Sequence, residues 1–113
     1  MRELTYPLNE AYKIYLPDEW LGDHLLTYQN ARERIQTIAK GSLPEEKVPT
    51  EGLPQALTDL ALALCLLDDF DLPGLPAGNP GVWRVDQCPL RVAIWVKTVV
   101  LDDFATSFTL PKN

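Results

Sequence analysis

Residues 53–67 (LPQALTDLALALCLL) are apolar at eleven of fifteen positions, sit behind a proline-containing loop and stop at the carboxylate knot Asp68-Asp69-Phe70-Asp71. A segment this apolar, yet too short for the ~20 residues that span a bilayer, has to be buried inside protein. Its partner lies further along the chain. Residues 90–101 (LRVAIWVKTVVL) are apolar at nine of twelve positions and end in the same way, at Asp102-Asp103-Phe104. These two segments are the expected core, and the rest of the chain has to pack around them.

A chain of 113 residues can bury roughly two-thirds of the surface its unfolded form exposes, so a single domain over residues 1–113 is expected. An apolar fraction of 46% with 23% charged residues matches ordinary globular proteins and argues against disorder. The net charge of -6 repels phosphate backbones and anionic lipid, so neither nucleic acid nor membrane is expected as a partner, and a basic protein surface suits it better. Cys65 and Cys88 have no second pair with which to complete a zinc site and read as buried thiols. No basic stretch followed by an apolar one opens the chain, so secretion is not expected and a reducing cytoplasm fits.

The first sixteen residues alternate, with Leu4, Tyr6 and Leu8 on one side of Asn9-Glu10-Ala11 and Tyr12, Ile14 and Leu16 on the other. If those three residues form the loop, Leu8 pairs with Tyr12, Tyr6 with Ile14 and Leu4 with Leu16, and all six face one way. Pro7 cannot donate to a ladder, which puts the first strand at an edge. A lone hairpin is marginal in water, so this one is expected to lie on helices.

From Leu21 the period changes. Leu21, Leu25, Tyr28, Ala31, Ile35 and Ile38 recur at helical spacing, which predicts an amphipathic helix over residues 21–40 with Gly41 as a left-handed cap. Residues 42–52 are rich in proline and charge and read as a surface loop. A second helix is expected over residues 53–69, with Pro54 in its first turn. Residues 71–82 carry three prolines and three glycines, which force the chain to cross the molecule in turns. Asp86 can cap a third helix over residues 86–107, leaving an extended tail at residues 109–113. The β-branched run Val92 to Val100 also suits a buried strand, and helix is preferred on length and capping. The expected fold is therefore α+β, an N-terminal β-hairpin on three helices, with the second and third as the central antiparallel pair.

Candidate chemistry is sparse. Asp68, Asp69, Asp71, Asp102 and Asp103 are the only carboxylates dense enough to consider for a hard cation, but they lack the alternate ligand spacing and glycine of a calcium loop and the glutamate-histidine pairs of a di-iron bundle. They read as solvated charge at helix ends, where negative charge opposes the dipole and hints at a basic partner. His24, beside Asp23, is the only histidine; neighbours on a helix do not face one another, and no serine or cysteine sits in a motif that activates it, so it is read as structural or solvated. Gly74, Gly78 and Gly81 are separated by prolines and form no phosphate-cradling loop. No catalytic residue, metal or cofactor is expected. Trp95 is placed in the core, whereas Trp20 and Trp83 stand at segment boundaries, where an indole can anchor a partner or lie as a lid on the hydrophobic centre. The partner-binding candidates are accordingly Trp20, Trp83, Asp68, Asp69, Asp102 and Asp103.

An opening strand pair that ends in Leu16-Pro17-Asp18-Glu19-Trp20, a charged helix, a Pro-Gly crossing with Trp83, and a closing apolar stretch from Pro89 to Val96 together resemble small bacteriophage tail assembly chaperones and similar virion-assembly proteins. The resemblance implies a non-enzymatic protein of the host cytoplasm or the virion. Such a protein binds hydrophobic helical segments of a tape-measure or tail protein and forms homo-oligomers. Two alternatives stand beside it: a small acidic inhibitor that occupies a basic cleft or mimics nucleic acid, and a virion connector or baseplate subunit.

Overall fold

The computed structural model describes residues 1–48, 52–75 and 84–107. Near its N-terminus, Lys13-Ile14-Tyr15-Leu16 has the period of two that buries alternate side chains, and Ile14 and Leu16 are almost wholly shielded from solvent. This strand, β2 (Lys13–Leu16), is the middle of a three-stranded antiparallel sheet, between β1 (Arg2–Thr5) and β3 (Asp69–Asp71). The first strand is at the sheet edge, as expected from Pro7. Its register differs from the expected one by two residues: Leu4 faces Ile14 and Arg2 faces Leu16. The chain turns over a wider loop, closed by the Tyr6 N–H donating to the Tyr12 carbonyl at 2.9 Å, and Leu8 is left 74% exposed. A slip of two preserves which face each residue occupies, so Ile14 and Leu16 still point into the core.

The third strand replaces what the sequence pattern predicts as the end of a helix. Asp69, Phe70 and Asp71 alternate exposed, buried, exposed, with Phe70 opposite Ile14, so the helix expected over residues 53–69 stops short. The Asp68 N–H donates to the Tyr15 carbonyl at 2.9 Å, which starts the pairing. A tight turn follows, in which Leu72 and Leu75 bridge across Pro73-Gly74. Gly74 has φ +78°, and a Cβ there would lie 2.6 Å from the Gln87 carbonyl oxygen, so both the turn and the close approach require glycine.

The expected first helix is divided. Helix α1 (Gly22–Glu33) gives way at Arg34 to α2 (Ile35–Ser42), and α2 continues through Gly41 rather than being capped by it. Leu21 and Leu25, expected on the buried stripe, are exposed, whereas Ala31 is buried. Helix α3 (Gln55–Leu66) is the centre of the molecule: α1, α2, α4 and the 3-10 turn Val85–Gln87 all pack on it, and every residue from Leu60 to Leu64 is buried. Helix α4 (Leu90–Ser107) confirms the helical reading of the closing apolar stretch. It starts later than expected, because Asp86 lies in the 3-10 turn and Pro89 accepts the Ala93 N–H at 2.9 Å. Leu60, Leu64, Val96 and Val100 are essentially inaccessible and join Ile14 and Leu16 in one cluster. At about 1.5–3 kcal/mol per buried aliphatic side chain, this cluster is what holds sheet and helices together. The fold is α+β, with the hairpin packed on the helices.

Candidate functional site

The six residues singled out for partner binding meet different fates in the structure. Trp20 and Asp103 meet each other: the indole Nε1–H donates to Asp103 Oδ2 at 2.7 Å. Arg2, at the edge strand, grips the same carboxylate with two guanidinium nitrogens at 2.7 and 3.3 Å and donates through Nε to the Pro17 carbonyl at 2.9 Å. The Arg2 hydrogen bonds hold the Asp103 carboxyl below the usual carboxylate range, against partial burial that pushes the other way and with the Trp20 bond assisting. The half-buried Trp20 ring packs edge-on against Phe104 and His24, at centroid distances of 5.1 and 5.2 Å, and Tyr28 closes the group against Phe104. One clasp thus ties β1, the segment after β2, α1 and the far end of α4.

His24 belongs to this clasp as a cap. Its Nδ1 accepts the Leu21 N–H at 2.9 Å, while its own backbone N–H donates to the Leu21 carbonyl at the same distance, which satisfies the opening turn of α1. The N-terminal ammonium pairs with Asp18 beside the clasp and lowers the Asp18 pKa.

The remaining acidic candidates are not gathered. Asp68, Asp69 and Asp71 lie on and beside β3, with Asp69 and Asp71 exposed, and Asp102 is exposed on α4. Among the described residues no group of three or more histidine, cysteine or carboxylate side chains could hold a metal ion. Trp83 lies outside the described residues. Cys88 is buried and Cys65 half-buried, and burial pushes both thiols up to about 11, which leaves them protonated and weakly nucleophilic at neutral pH.

Two concave surfaces bear on function. A cleft of about 430 Å³ opens where α1 breaks into α2 over α3, lined by Asn30, Ala31, Arg34, Thr37, Ile38 and Cys65. It offers a guanidinium, an amide and a hydroxyl over an apolar floor, a set that can hold a polar group but contains no paired acid and base. The second, a groove of about 430 Å³, runs along α4 beside the hairpin and is lined by Tyr6, Arg91, Ile94, Trp95, Thr98 and Val99. The Tyr6 and Trp95 rings form its wall, edge to face at 5.3 Å. Ile94, in its lining, is 45% exposed, and Leu90, one helical turn before it on α4, is 64% exposed.

Sequence reasoning assigns Leu90 and Ile94 to the core. The signal that places them outside is the burial of Val92, Ala93, Val96 and Val100, which occupies the opposite face of the helix and leaves 90, 94 and 98 turned outward. Among the described residues no helix is long and apolar enough to cross a membrane. Comparison of the chain with protein-family models, with curated proteins and with solved structures finds no match in any of the three.

Proposed function

We propose that this chain is a non-enzymatic assembly protein of a phage-like particle that covers an apolar helical segment of a partner, a tape-measure or tail protein being the partner the resemblance implies. The observation that carries the reading is the α4 groove. Large apolar side chains stand exposed on a regular helix face beside an aromatic wall, which is the surface an amphipathic helix fills with anchors at i, i+3, i+4 and i+7. Leu8, exposed at the hairpin tip, adds to the apolar surface of the molecule. Exposed apolar groups of this size cost free energy in water and gain it back when covered.

The test is a fluorescence titration with a synthetic helical peptide carrying leucine at those four spacings, against a control in which the same residues are scrambled. Binding of the leucine-faced peptide that persists at about 0.5 M salt and is lost in Ile94→Asp supports the reading, because apolar contact is not screened as surface charge is. Equal binding of both peptides, or an unchanged affinity in Ile94→Asp, overturns it. Binding that disappears with salt would instead favour the acidic-inhibitor alternative.

A further inference from the structure

Arg91 and Asp102 are exposed on α4 and, among the described residues, neither side chain has a hydrogen bond or ion pair. Eleven residues at 3.6 per turn bring Asp102 back to within about 20° of the bearing of Arg91, roughly 16 Å further along the axis. The two charges therefore bracket the exposed stretch that carries Ile94 and Thr98. Their order opposes the helix dipole, which favours acids in the first turn and bases in the last; α4 has neither. Within the described residues both charges are left to solvent.

We infer that a second copy of the chain covers this face, its α4 lying antiparallel to the first about a twofold axis that passes between Val96 and Lys97. Those residues are midway between Arg91 and Asp102. The axis sets each Arg91 against Asp102 of the other copy, so the charge pair forms twice, as an isologous interface requires. Ile94 of each copy then lies against Thr98 and Leu101 of the other. A parallel pairing would set Arg91 against Arg91, so the charge order selects the antiparallel one. Lys97, level with the axis but turned to the side of this face, is held within its own chain by Asp59 at 3.7 Å, which offsets its charge. The pairing stands apart from the functional reading: it concerns what lies on the groove when no partner helix does.

Sedimentation equilibrium of the full chain from about 1 µM to about 1 mM tests the pairing, a range that covers modest association. The mass is expected to rise from one chain to two. Arg91→Glu and Asp102→Arg each place like charges together twice and are expected to weaken the dimer at least tenfold. Both substitutions agree with the helix dipole, so each variant keeps its far-ultraviolet circular dichroism. Mixing the two variants restores both attractive pairs. The acid introduced at position 91 of one variant meets the base introduced at position 102 of the other, and the native Asp102 of the first meets the native Arg91 of the second. A heterodimer is therefore expected from two proteins that do not associate alone. A wild-type chain that remains a monomer at the highest concentration overturns the inference. So does a dimer indifferent to either substitution, or a mixture that stays monomeric. None of these outcomes depends on the leucine-faced peptide, whose binding is read separately.

Discussion

Asp102 and Asp103 are neighbours in the chain, identical in chemistry, and opposite in circumstance. A rotation of one residue along α4 turns Asp103 into the clasp, where Arg2 and Trp20 satisfy it, and turns Asp102 outward, where no side chain of the described residues reaches it. The contrast extends to their surroundings. Around Asp103, three aromatic rings and a histidine are packed together, and Trp20 Nε1 and His24 Nδ1 are used internally. Around Asp102 and Arg91, apolar and charged groups share an open face. The first region consumes its chemistry in holding the molecule together; the second leaves its charges open to solvent, which is where the proposed pairing would use them. Residue type alone does not distinguish an aspartate tied into the fold from one left open to solvent, and the position of its neighbours does.

The largest effect expected on this contrast comes from Trp20→Ala. It removes the indole that packs on Phe104 and His24 and donates to Asp103, and should cost about 3 kcal/mol, the low end for a packed tryptophan because one edge is wet. Denaturant unfolding measures this as a lower midpoint at unchanged slope. If the midpoint moves by less than that of a surface substitution, the clasp is not a support of the fold, and Trp20 returns to the open surface as an anchor for partners.

Asp103→Asn ranks next. It keeps the shape and removes the charge on which Arg2 closes, with an expected loss of about 1 kcal/mol, since the pair is more than a third exposed and solvent screens it. The variant also changes the pH dependence in a defined direction. Because Arg2 lowers the Asp103 pKa in the folded state, the contribution is fully present above the unfolded carboxylate value of about 4, and it is lost as pH falls through that value toward the folded one. Thermal melts from neutral pH to about pH 2.5 should therefore fall less steeply in Asp103→Asn than in the wild type. Asp18 and Asp86 remain in the variant to supply the rest of the acid limb; at Asp86, burial works against the lowering, and hydrogen bonds from Arg84 and Gln87 outweigh it.

How much of this is legible in the chain follows from the range of each interaction. The two apolar runs become α3 and α4 because their burial is encoded in consecutive residues, and the hairpin is visible from its alternation. The register differs by two because a slip of two leaves the alternating pattern intact, and only the turn geometry around Pro7 decides it. Asp69-Phe70-Asp71 carries a period of two that a strand needs, but three residues beside a long apolar helix are too few to outweigh it. The break at Arg34 has no proline or glycine to announce it. The clasp is not legible at all: Arg2 and Asp103 are 101 residues apart, and no local pattern states that they meet. Of the site candidates, Asp103 is read from the sequence as outward charge and Trp20 as either a partner anchor or a lid on the hydrophobic centre, the second being the one its packing on Phe104 fits, whereas the groove residues Ile94 and Trp95 are both assigned inward.

The smallest expected effect is the most discriminating. Asp102→Asn removes a charge with no partner among the described residues, so at concentrations where the protein is a single copy its stability should stay within about 0.5 kcal/mol of the wild type. At concentrations where copies pair, the wild type gains stability by mass action, because association stabilises whatever state it draws on, and the variant should gain less. The melting temperatures of the two proteins are thus expected to coincide in dilute solution and to separate as both are concentrated. Asp103→Asn should show the reverse, a gap already present in dilute solution that concentration does not widen. Two aspartates one position apart would then be told apart by how their effects depend on concentration, a distinction that a difference in intrinsic stability alone cannot produce.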